Sequence, residues 1–135
     1  MKNTIISLLL AIHLLGFSQN PLCIPDTLGG ASIDLNFVSG TTELYDGFMT
    51  NTVGYNQSFL GPTLLLQQGN EVTMNVTNSL AETTTLHWHG LHVAPENDGG
   101  PHTAIAPNST WNPSFTILDE ASTYWYHPHL HHVTD

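Results

Sequence analysis

Positive charge is almost missing from this chain: its 135 residues hold a single Lys or Arg, Lys2, against eleven Asp and Glu. Phosphate backbones are held by cations, so this balance excludes nucleic acid as a partner and gives no pull toward anionic lipid. Cysteine is equally scarce. Cys23 stands alone, so no intramolecular disulfide can form. Helical periodicity is nearly absent beyond residue 18, and no apolar run reaches the ~20 residues of a membrane span.

What is present begins with a short apolar segment, residues 5–17, interrupted by Ser7 and His13 and preceded by Lys2. Gly16 and Ser18 are small residues at the −3 and −1 positions of a cut before Gln19. This predicts a signal peptide over 1–18 and an exported protein, periplasmic or secreted, with no membrane span after cleavage. Leu22-Cys23 is similar to a lipoprotein cleavage site, but Asn20-Pro21 lacks the small residues such a site needs, which leaves Cys23 incidental. Once Lys2 is removed, the chain keeps its acidic groups and no permanent cation beyond its N-terminus. That charge serves solubility, and it also draws cations toward the surface.

The remainder, 19–135, is long enough for one domain with a modest core. Ile33, Leu35 and Phe37 alternate with Ser32, Asp34 and Asn36, and Val72, Met74 and Val76 with Thr73, Asn75 and Thr77. Period two is the pattern of half-buried strands. Further strands are expected over 63–66, 83–92, 114–118 and 123–127, with 95–107, rich in Gly, Pro, Asn and Asp, as a loop. Short strands separated by turn signals predict an all-β sandwich or barrel. Three glycosylation sequons, at Asn56, Asn75 and Asn108, are too short a pattern to carry functional weight.

Eight of the nine histidines fall between His87 and His132. Two pairs stand out, His87-Trp88-His89 and His127-Pro128-His129. Residues i and i+2 of a strand share a face, so each pair presents two imidazoles side by side. Such a cluster points to a metal, and imidazole suits zinc, copper, iron and nickel alike. Spacing excludes several zinc and iron sites. A cupin would place a glutamate soon after the first pair, but Glu96 comes too late. A metallo-β-lactamase-like site would need Asp where Leu91 stands, and an α-carbonic-anhydrase-like site would need a third histidine near Asn112.

Thr85-Leu86-His87-Trp88-His89-Gly90-Leu91 and Tyr124-Trp125-Tyr126-His127-Pro128-His129 resemble, in order, the first two copper motifs of the multicopper oxidases. Gly61-Pro62-Thr63-Leu64, Gly69-Asn70-Glu71-Val72, Val76-Thr77-Asn78 and Asp98-Gly99-Gly100-Pro101 resemble the framework between and after them. The likeness is to the N-terminal, plastocyanin-like domain of laccases, bilirubin oxidases and cuprous oxidases. It implies a cupredoxin-like Greek-key β-sandwich and a trinuclear copper cluster that reduces O2 to water while a small reducing substrate, phenolic or a metal ion, is oxidised. By position, His87 would bind the type 2 copper, and His89, His127 and His129 the type 3 pair. Trp88 and Trp125 would wall the site. Asp98, Asp119 and Glu120 are candidate hydrogen-bond or proton-delivery groups. The family pattern assigns nothing to His92, His102, His131 or His132.

The chain also departs from that pattern. It has no His-Cys-His segment for a type 1 copper, and the sandwich is expected to lack its closing strand or strands. It therefore reads as part of a longer oxidase whose C-terminal cupredoxin domains supply the remaining ligands, inactive alone. The alternative is an exported copper-binding protein that sequesters the metal without catalysis. Against that alternative, soft sulfur ligands suited to Cu(I) are few, only Met49 and Met74 besides Cys23 after residue 18. A zinc hydrolase lacks a general base at a recognised spacing.

Overall fold

The computed structural model describes residues 24–130. The expected signal segment, Cys23, His131 and His132 lie outside that range. Among the described residues every regular element is a strand, and no helix is long and apolar enough to cross a membrane.

Nine strands form three sheets: β1 (Thr27–Gly29), β2 (Ser32–Tyr45), β3 (Phe48–Tyr55), β4 (Thr63–Leu65), β5 (Glu71–Asn78), β6 (His87–His89), β7 (Ser109–Trp111), β8 (Ser114–Thr116) and β9 (Trp125–His127). The largest sheet has five strands in the order β3-β2-β5-β7, with β8 also on β5. Its β2–β5 pairing is parallel, setting Ile33 beside Met74 and Leu35 beside Val76, while β7 and β8 run antiparallel to β5. Two short two-stranded sheets, parallel β1–β4 and antiparallel β6–β9, complete the fold.

The alternation read in the sequence explains why the five-stranded sheet has one dry face. Ile33, Leu35, Phe37, Val72, Met74 and Val76 are all at most 2% exposed, and their polar neighbours Ser32, Asp34 and Asn36 are not buried. Leu86, Trp88, Ile105, Phe115 and Ile117 join the same core. At roughly 1.5–3 kcal/mol for each buried large apolar side chain, this shared core is the main force holding the β6–β9 ribbon to the rest of the domain. The result is an all-β, cupredoxin-like sandwich.

The four further strands expected at 63–66, 83–92, 114–118 and 123–127 are shorter in the structure, and for the longest the reasons are local. Gly90 adopts φ 90°, and the Leu91 amide turns back to the Trp88 carbonyl, so the 83–92 segment pairs as a strand only at His87–His89. Upstream, Thr84 bridges to Ile105 instead. The hairpin strand β3 has no apolar alternation and was not expected. Its signal is the Asp46-Gly47 turn, where Gly47 takes φ 78° and its amide donates to the Glu43 carboxylate.

Candidate metal centre

The ribbon β6–β9 brings the two histidine pairs together. Its register sets His87 opposite His127, Trp88 opposite Tyr126 and His89 opposite Trp125. Alternation then sends His87, His89, Trp125 and His127 to one face and Trp88 and Tyr126 to the other. The inner pair is anchored. Trp88 is 2% exposed and packs on Trp111 and Phe115, while the Tyr126 hydroxyl donates to the Pro62 carbonyl at 2.7 Å. Burial pushes the Tyr126 phenol up to about 12, so it stays a neutral donor.

On the outer face, ligand atoms of His87, His89 and His127 all lie within 4.8 Å of one another. His129 sits beside them, its ring centroid 5.3 Å from that of His87 and 5.7 Å from that of His127. Hydrogen bonds fix which nitrogens are offered. His87 Nδ1 donates to Asp98, whose carbonyl lies at 3.0 Å and whose carboxylate lies at 3.2 Å, leaving the Nε2 lone pair free. His127 Nδ1 donates to the Pro128 carbonyl at 2.7 Å, and its Nε2 faces His89 Nδ1 at 3.1 Å. Desolvation holds the His127 pKa below its ordinary 6.5, and the neighbouring imidazoles push the same way against the Pro128 hydrogen bond. The imidazole is thus biased to the neutral form, the only form able to bind a cation.

This donor set fits a borderline metal such as copper. Imidazole nitrogens bind such ions at roughly 2.0 Å, so ligands of one ion stand between roughly 2.8 Å and 4 Å apart. The 3.1 Å approach of His89 to His127 falls inside that interval. Backbone and carboxylate acceptors behind His87 and His127 supply the tautomer control that ligating histidines need.

The accompanying residues divide differently from expectation. Trp125 does wall the site: its ring stacks on His127 at 4.1 Å and lies against His89 at 4.6 Å, with 57% of the residue still exposed. Trp88 does not wall it, because strand parity turns it into the core. Asp98 reaches His87 as a hydrogen-bond group, whereas Asp119 does not reach the four histidines. Its carboxylate instead accepts the His92 ring at 2.5 Å and the His92 amide at 3.1 Å, and the ring hydrogen bond lowers the Asp119 pKa. Glu120 takes part only through its carbonyl, which accepts the Tyr124 hydroxyl. His102 is exposed.

Two contributing residues were not singled out in the sequence. Thr85, fully buried, accepts the His129 amide on its hydroxyl at 2.7 Å. Gly99, at φ 71°, lets the Asp98 loop lie directly on the Leu86 backbone. In the sequence each stood only as a member of a family-like motif, Thr85 at the head of the first histidine motif and Gly99 in Asp98-Gly99-Gly100-Pro101.

The chain also has clear similarity to proteins already known. A family model described as multicopper oxidase matches residues 38–135. The chain belongs to the multicopper oxidase family. It is 45% identical over 104 residues to a multicopper oxidase of Staphylococcus aureus, covering 77% of this chain and 23% of that relative. A solved structure of a laccase-like multicopper oxidase, CueO from Ochrobactrum sp., superposes with a TM-score of 0.79 at 39% identity, over 82% of this chain and 26% of that one. The chain thus spans about a quarter of the length of these relatives. A cell division protein, FtsP of Gallibacterium anatis, also matches, at 33% identity over 79% of the chain and 23% of its own length.

Proposed function

We propose that this chain supplies the N-terminal, plastocyanin-like part of an exported copper-dependent oxidase. In this reading His87 serves the type 2 copper and His89, His127 and His129 the type 3 pair of a trinuclear site. The full-length protein would oxidise phenolic-type substrates or metal ions and reduce O2 to water, and further cupredoxin domains would complete the cluster. The observation that carries the reading is the β6–β9 register, which puts three imidazole ligand atoms within 4.8 Å on one face. Several relatives are named as oxidases, which favours this function over sequestration.

When bound, copper ions held close together would pass electrons drawn from the reducing substrate on to O2. The chain's own groups prepare the site. Asp98 and the Pro128 carbonyl hold His87 and His127 with Nε2 outward. His89 Nδ1 and His127 Nε2 stand 3.1 Å apart and would both be offered to a copper ion. Trp125 covers two of the rings and limits water on that side. Asp98 also places a carboxylate next to His87.

Copper stoichiometry with optical and EPR spectra tests this on the full chain and on its His87→Ala and His127→Ala variants. The expected result is Cu(II) bound through nitrogen, without an intense blue thiolate band, and weakened in both variants. Copper binding that both variants leave unchanged would overturn the assignment.

A further inference from the structure

The metal-facing ribbon is very short. β6 and β9 pair over three residues each, and a two-stranded ribbon of that length has little stability of its own. The paired ladder ends at His127, the residue before Pro128. Yet His129, one residue further, stays beside His87 and His127.

The contact that keeps it there comes from a side chain. Extending the register past His87 opposite His127 places Thr85 opposite His129. The Thr84 hydroxyl lies 3.4 Å from the Thr85 carbonyl, and the His129 amide donates to Thr85 Oγ1 at 2.7 Å. Thr85 is a fixed acceptor. It is fully buried, the preceding Thr84 exchanges two backbone hydrogen bonds with Ile105 at 3.1 Å and 2.8 Å, and the following Leu86 is fully buried in the core.

We propose that Thr85 is a positioning residue for the copper ligands: its hydroxyl continues the β6–β9 register across Pro128 and holds His129 at the metal face. The inference deepens the copper reading and rests on it for the purpose of the latch, though the latch itself exists in the metal-free chain. Thr85 touches no metal and acts through the His129 backbone.

Thr85→Val keeps the shape and removes the acceptor, whereas Thr85→Ser keeps the acceptor and removes a methyl group. Two readouts on the full 135-residue chain separate positioning from packing. Amide hydrogen exchange of His129 in the metal-free chain is expected to accelerate roughly fivefold or more in T85V and to stay near wild type in T85S. Cu(II) affinity, measured by chelator competition, is expected to fall ~10-fold or more in T85V and to be largely retained in T85S. Unchanged His129 exchange and copper affinity in T85V would overturn the proposal, as would T85S being impaired as much as T85V. If T85V does not fold, Thr85→Ala is compared with T85S by the same two criteria. If the wild-type chain itself fails to bind copper, the copper reading falls, while the exchange data still decide whether the hydroxyl holds His129.

Discussion

Replacing Gly99 by alanine asks whether the Asp98 loop is what aims His87. An added Cβ at this position would stand 1.6 Å from the Leu86 carbonyl oxygen, less than half the 3.4 Å at which ordinary contact begins, and 3.0 Å from the Trp111 ring. Neither neighbour yields easily, since one is backbone and the other packs against Trp88. The loop must therefore lift. Lifting it breaks two contacts of the Asp98 carbonyl, the His87 Nδ1 hydrogen bond at 3.0 Å and the Trp88 amide at 3.3 Å. Each such bond contributes about 1 kcal/mol, and a side chain at φ 71° adds roughly 1–2 kcal/mol of backbone strain. The expected destabilisation of Gly99→Ala is therefore roughly 3 kcal/mol or more, read from urea unfolding followed by far-UV circular dichroism. Gly100→Ala is the matched control. Its Cβ meets only the Asp98 carboxylate, at 3.4 Å, and no positive φ is required. That variant is expected within ~0.5 kcal/mol of wild type. Gly99→Ala unfolding within about 1 kcal/mol of Gly100→Ala would refute the reasoning.

Other outcomes follow from individual contacts. Tyr126→Phe removes the hydrogen bond to the Pro62 carbonyl and should cost about 1 kcal/mol in the same unfolding assay; no change would mean that the bond does not anchor β9. Trp125→Phe, at a residue 57% exposed, should leave stability within ~0.5 kcal/mol while removing most of the tryptophan quenching that copper causes; full quenching in the variant would place the metal elsewhere. His127 should titrate below its ordinary 6.5 in the metal-free chain, as followed by NMR of its ring. Because the unfolded chain then binds the proton more readily, stability falls as pH drops from 6.5 through the lowered folded value. A His127 midpoint at or above 6.5 would contradict the desolvated placement. His92→Ala removes an exposed ring that only Asp119 engages and should leave copper affinity unchanged in a competition assay.

The sequence made the inner faces of β2 and β5 legible because both alternate cleanly, Ile33 to Phe37 and Val72 to Val76. The histidine pairs were legible for the same reason of parity. Parity also says that Trp88 cannot share a face with His87 and His89, and the structure follows parity and not the expectation that Trp88 walls the site. Strand β3 was hidden because its residues alternate by neither polarity nor size, leaving only the Asp46-Gly47 turn to mark it. Contacts across loops were out of reach. No local pattern tells that the Asp98 carbonyl will meet His87, that Asp119 will choose His92, or that the Thr85 hydroxyl will meet the His129 amide. The first two pairings depend on how core packing folds the 95–107 and 118–124 segments over the ribbon.

The central claim, that the imidazoles of β6 and β9 form one copper site, is tested most directly by X-ray absorption at the copper edge on the Cu(II)-loaded chain. The account predicts imidazole nitrogens at roughly 2.0 Å from copper, with the imidazole count falling in each of His87→Ala, His89→Ala and His127→Ala. A count that none of the three substitutions lowers would contradict it.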